Sequence, residues 1–158
     1  MGTPPFFPKI LIAVDDSIYS YNAAAYGFAL ARSFDSEVLL VHISEFPVTT
    51  AMTGDPIMGD PGIAIPDILD SQKEAAKALL SRLKDGLGPD LNVKKIILEG
   101  NIAEEVNKTA KEHHATLIVM GTHSRTGLSH FISGSIAERV TRHSSCPVLI
   151  VPTKDKKD

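Results

Sequence analysis

The chain has 158 residues, a formal net charge of −3, 43% apolar residues and 22% charged ones. That length suits one domain with a real core, and the charge balance offers no basic field for nucleic acid or an anionic membrane. A single cysteine, Cys146, excludes an internal disulfide and suits a reducing cytosol, and no apolar run approaches the roughly 18 residues of a membrane span.

The opening "MGTPPFFPK" lacks the basic-then-apolar pattern of a secretion signal. "KILIAVD" (9–15) reads as a buried strand, and "SIYSYNAAAYGFALARSF" (17–34) carries apolar residues at helical spacing. Asp15, Asp16 and Ser17 are all candidates to cap that helix. "EVLLVHI" (37–43) is a second strand, in which His42 reads as a satisfied core or crevice-wall residue rather than a base. The stretch 45–66 is too long and too rich in Gly and Pro for a routine connection, and a mobile loop is expected over about 45–65.

"PDILDSQKEAAKALLSRLKDGL" (66–87) is a second helix, with Asp67 as its expected N-cap. "NVKKIIL" (92–98) is a third strand. "NIAEEVNKTAKEHH" (101–114) is a third helix, where Asn101 stands three residues before Glu104 as in a capping box. "TLIVMG" (116–121), "SIAERVTRH" (135–143) and "PVLIVP" (147–152) complete the series as strand, helix and strand, before a charged tail at 153–158. The expectation is a single cytoplasmic domain over 1–158, with its core over about 8–152.

Alternation of helices with nearly continuous apolar strands implies a parallel sheet covered on both faces. Such open sheets bind ligands beyond the carboxyl ends of their strands, where strand order reverses. Two strand ends are unusual here: "AVDDS" (13–17) and "VMGTHSRTGLSHFISGS" (119–135). If both flank one crevice, strands one and four are neighbours and the order is 3-2-1-4-5. Gly121 would then let a ligand approach bare backbone. Gly134-Ser135 would open a helix whose unpaired N–H groups attract an anion, beside the positive charge of Arg125. The plainer alternative is a long loop with turn glycines and a well-capped helix. Neither GxxxxGK[ST] nor GxGxxG occurs.

"VMGTHSRTGLSHFISGSIAERVTRHSSCPVLIVP" closely resembles the C-terminal signature of the universal stress protein family, and "KILIAVDDS" resembles its opening strand. The likeness covers essentially the whole chain and is least specific in the second helix and the long loop. Nucleotide-binding members carry Gly, two residues, Gly, nine residues, Gly, then Ser or Thr. Here the positions read Gly121, Ser124, Gly134 and Ser135. The resemblance implies a Rossmann-like, adenine nucleotide alpha hydrolase-like fold of order 3-2-1-4-5.

It also implies a site for ATP, or for AMP or another adenine nucleotide, with Mg²⁺ carried by the nucleotide. By position, Ala13, Val14 and Asp15 border adenine and ribose, with Val41 on the adenine side. Met120 and Gly121 meet the ribose and first phosphate, and Ser124, Gly134, Ser135 and Ile136 line the phosphates; Arg125 joins them here on its charge alone. The family further implies a homodimer through the last strand, 148–152. Ser124 departs from the motif. If its position takes a left-handed backbone, serine costs roughly 1 kcal/mol over glycine; alternatively its hydroxyl donates to a phosphate.

Catalysis has little footing. No GxSxG elbow exists, and Ser124, Ser129 and Ser133 have no recognisable base partner. The histidines have no familiar zinc spacing, so no catalytic or metal residue is assigned. The reading is a non-enzymatic, ATP-binding regulatory module of the stress response. The alternative is a dimeric scaffold of the same fold that binds no nucleotide.

Overall fold

The computed structural model describes residues 6–45, 65–124 and 135–154, of which 65–68, 123, 124, 153 and 154 by backbone alone. The loop expected over 45–65 lies almost wholly outside the described residues, as do Arg125 and Gly134. Among the described residues the elements are β1 (Lys9–Ala13), α1 (Ile18–Phe34), β2 (Glu37–Ser44), α2 (Ile65–Leu87), β3 (Val93–Glu99), α3 (Ile102–Glu112), β4 (Leu117–Ser124), α4 (Ile136–His143) and β5 (Val148–Lys154). The strands form one parallel sheet of order β3-β2-β1-β4-β5, as the strand ends predict.

Successive strand residues feed two different cores because side chains alternate across the sheet. Ile10, Ile12, Leu40 and Val119 pack under α1 and α2 with Phe28, Leu80 and Leu83. Leu11, Leu39, Val41 and Ile118 pack under α3 and α4 with Val106 and Val140. Each fully buried Ile, Leu or Phe contributes about 1.5–3 kcal/mol relative to exposure. The burial of both faces explains why these strands read as unbroken apolar runs rather than alternating ones.

The caps are mostly those the sequence announces. Ser17 caps α1 by accepting from Ser20 N, Asn101 caps α3 by accepting from Glu104 N, and Ser135 caps α4 by accepting from Glu138 N. Asp67 is a correction: α2 begins at Ile65, so Asp67 is a first-turn residue and not the cap. Pro66 fits there because first-turn N–H groups have no intrahelical partner to lose. At the far end of α1, Arg32 donates to both carboxylate oxygens of Asp90 at 2.9 and 2.7 Å and to Leu87 O. That hydrogen bonding holds the Asp90 carboxyl down at about 2. The pair is half-exposed, and such pairs contribute little to stability.

Three strands run differently from the expectation, and the first, β1, ends at Ala13, two residues short of Asp15. β4 continues three residues past Gly121, because Thr122, His123 and Ser124 pair with Pro152, Thr153 and Lys154 of β5. β5 therefore takes in the first two residues of the expected tail. Among the described residues, no helix is long and apolar enough to cross a membrane.

Candidate functional site

β1 ends at Ala13, while its neighbours β2 and β4 run on past it to Ser44 and Ser124. Ala13 stands between Val41 on one side and Met120 on the other, and Gly121 pairs with Val151 beyond. Ala13 and Ile136 pack against the cluster that contains Val41 and Met120. α4 lies on that face against α3, β4 and β5. The end of β1 is the place where strand order reverses, as the sequence argument requires.

Past Ala13 the chain makes a tightly tied turn. Val14 N donates to Val41 O at 2.9 Å, extending the β1–β2 ladder by one bond. Asp15 N donates to the buried Ser20 Oγ at 2.8 Å, while Asp15 Oδ1 accepts from Ser17 N at 2.9 Å. Ser17, not either aspartate, is the α1 cap. Asp15 and Asp16 remain solvent-exposed. They line a cleft of about 280 Å³ with Ser17, Ile18, Tyr21 and Arg82.

His42 was readable as a satisfied wall residue, and its partners specify how. Nδ1 lies 3.0 Å from Val14 O and Nε2 lies 3.3 Å from Ser44 Oγ. A carbonyl only accepts, so Nδ1 carries the proton and Nε2 takes the Ser44 hydroxyl hydrogen. The signal in the sequence was a lone polar residue inside an apolar strand, though nothing in one dimension names its partner.

Gly121 has a reason the sequence did not reveal. A Cβ there would stand 2.6 Å from Tyr19 O and 2.9 Å from the Tyr19 carbonyl carbon. The bare backbone of β4 lets the first turn of α1 lie directly on the strand. Close approach was expected from a ligand; in the folded chain it comes from a helix.

The other expected residues divide by exposure. Val41 is 0% exposed and Met120 6%, so their side chains belong to the core. Val14 is likewise buried, in the opposite core. Ser135 is exposed, and Gly121 and Ile136 are half-buried. Ser124 closes β4 opposite Lys154. A strand backbone is extended and costs serine nothing, so the described structure places no left-handed demand on that position. Arg125 and Gly134 lie outside the described residues.

The groups present suit an anion better than a metal. Ser135 Oγ satisfies Glu138 N and Ser135 O accepts from Arg139 N. The helix supplies no partner for the first N–H groups, those of Ile136 and Ala137, and its dipole adds positive potential there. Among the described residues, no three of His, Cys, Asp and Glu come together as a metal-binding group.

An open parallel sheet of order β3-β2-β1-β4-β5 with helices on both faces defines a class, the Rossmann-like α/β proteins. Within that class, residues 7–152 match the universal stress protein family, and the chain belongs to it. Universal stress protein MJ0531 of Methanocaldococcus jannaschii is 33% identical over 152 residues, covering 96% of this chain and 85% of that protein. The solved structure of MJ0577 from the same organism superposes with a TM-score of 0.75 at 27% identity, over 96% of this chain and all of the other. A universal stress protein solved in complex with cAMP shares the fold at a TM-score of 0.71 and 17% identity, over 95% of this chain and 100% of its own.

Proposed function

We propose that the protein is a single-domain, non-catalytic regulatory module of the cytoplasmic stress response that binds ATP, or a related adenine nucleotide, as a homodimer. The observation that carries the reading is the switch point itself, where β1 ends at Ala13 beside Met120 of β4 and the exposed Asp15 follows, with the exposed Ser135 opening α4 on the face that Ala13 and Met120 share. Ala13, Val14 and Asp15 would face adenine and ribose largely through backbone. Gly121, Ser124, Arg125, Gly134, Ser135 and Ile136 would face ribose and phosphates, with Mg²⁺ carried by the nucleotide. The cAMP complex of a fold neighbour is in keeping with an adenine ligand for this fold.

Binding without turnover is the expected result. Backbone N–H groups and a capping hydroxyl stabilise an anion but take no proton from water. Calorimetry with ATP and Mg²⁺ should therefore detect binding, while phosphate release on the same preparation stays far below about 1 s⁻¹. Release near that rate would overturn the non-catalytic reading. No heat at millimolar ATP would favour the nucleotide-free scaffold.

The two sheet edges differ in a way that favours pairing through β5. β3 carries exposed Lys94 and Lys95 on its edge, a common guard against strand addition. β5 runs Val148, Leu149, Ile150 and Val151 without a charge before Lys154, and the first three are only half-buried. A two-fold copy of the same strand would cover that edge. Val151 is 5% exposed and belongs to the core, so Ile150→Lys is the informative change. Light scattering should show a dimer for the natural sequence and a monomer of unchanged circular dichroism for the variant. A monomeric natural protein would refute the interface.

A further inference from the structure

The turn between β1 and α1 carries Asp15, and three of the bonds that hold its backbone run from Val14 N to Val41 O, from Asp15 N to Ser20 Oγ, and from His42 Nδ1 to Val14 O. Two of these ties are local or belong to the sheet ladder. The third comes from the side chain of a different strand and acts on the carbonyl just before Asp15. We infer that His42 is a positioning residue for the candidate site: its Nδ1–H fixes the Val14 carbonyl and, through it, the direction in which the turn presents Asp15.

The geometry explains why histidine serves here. A β2 side chain must reach across to β1 and deliver a donor, because Val14 O only accepts. At the same time the far ring atom must accept, because it faces the Ser44 hydroxyl at 3.3 Å. Neutral imidazole offers one donor and one acceptor at opposite sides of a rigid ring. Ser44, the last residue of β2, holds the ring from behind, as outer partners commonly orient a working histidine. Losing the Nδ1–H would leave a part-buried carbonyl unpaired and free the turn to swing.

The consequence for ligand binding rests on the nucleotide reading, whereas the tie itself does not. The test separates them. Asparagine places its amide nitrogen near the position of Nδ1, glutamine places its own near Nε2, and leucine keeps bulk with no donor. Amide hydrogen exchange at Asp15 and Ser17 should quicken about five-fold in His42→Gln and His42→Leu, the loss of one net hydrogen bond. It should stay close to the natural protein in His42→Asn, while the amides of Leu11, Leu39 and Ile118 remain unchanged in all three. ATP affinity should follow the same order, weaker by about five-fold in the Gln and Leu variants and retained in the Asn variant. Equal exchange at the turn in all three variants would overturn the positioning role. Exchange that separates Asn from Gln in a protein that binds no ATP would uphold the tie and overturn the nucleotide reading alone.

Discussion

Replacing Gly121 by alanine should lower the stability of the ligand-free protein by about 2 kcal/mol. The added methyl would sit 2.6 Å from Tyr19 O and 2.9 Å from the Tyr19 carbonyl carbon. Both are backbone atoms of the first turn of α1, so no side chain can rotate away and the helix itself must move. Overpacking typically costs about 1–3 kcal/mol, and a clash with backbone that cannot rotate away belongs at the upper end of that range. Against it stands a gain of about 0.4–1 kcal/mol from the stiffer unfolded chain, which the steric term exceeds. For a chain of this size the net loss corresponds to a fall in Tm of roughly 4–8 °C.

Gly86→Ala is the matched comparison. Its Cβ would meet nothing within 4 Å, and it lies in α2, where alanine is favoured over glycine by up to about 1 kcal/mol. The two substitutions should shift the melting curve in opposite directions. A Gly121→Ala protein as stable as the natural one would mean that α1 does not need that bare backbone. The glycine would then owe its place to a ligand, as its position at a strand end first suggests.

The contrast shows where sequence reasoning reaches and where it stops. The strand order was legible because Val-Asp-Asp-Ser and Gly-Thr-His-Ser are odd ways to leave a strand, and a shared crevice forces β1 beside β4. The Asn101 and Ser135 caps were legible because capping chemistry is local, set by residues three apart. Asp67 misled because its first-turn position and a capping position look alike when the preceding residues carry no periodic signal. The extra length of β4 was not legible, since Thr122, His123 and Ser124 have no strand pattern of their own and are held by their partners in β5. Gly121 and His42 fall in the same group. Each is explained by a contact from far along the chain, Tyr19 over β4 and Val14 beside β2, which no local pattern encodes.

The largest expected effect on ligand binding belongs to Gly134→Val. Gly134 immediately precedes Ser135, the residue that caps α4. On the nucleotide reading, a branched side chain next to the cap would crowd a phosphate held by the N–H groups of Ile136 and Ala137. Hydrogen bonds to a charged group are worth about 1.5–3 kcal/mol each, so losing the pair should weaken ATP binding on the order of 100-fold or more. Circular dichroism should stay unchanged, because the cap bond itself runs from Glu138 N to Ser135 Oγ. Ser124→Gly is the finer probe of the same loop. β4 holds Ser124 in a strand, so glycine has no left-handed strain to relieve there, and the five-fold tightening that such strain would predict is not expected. If the hydroxyl donates to a phosphate, its removal should instead weaken binding by about five-fold. Tighter binding in Ser124→Gly would show that the nucleotide draws this residue out of the strand into a left-handed turn. Unchanged affinity in both variants would place the phosphates elsewhere, and Gly134 would be a turn residue beside an ordinary helix cap.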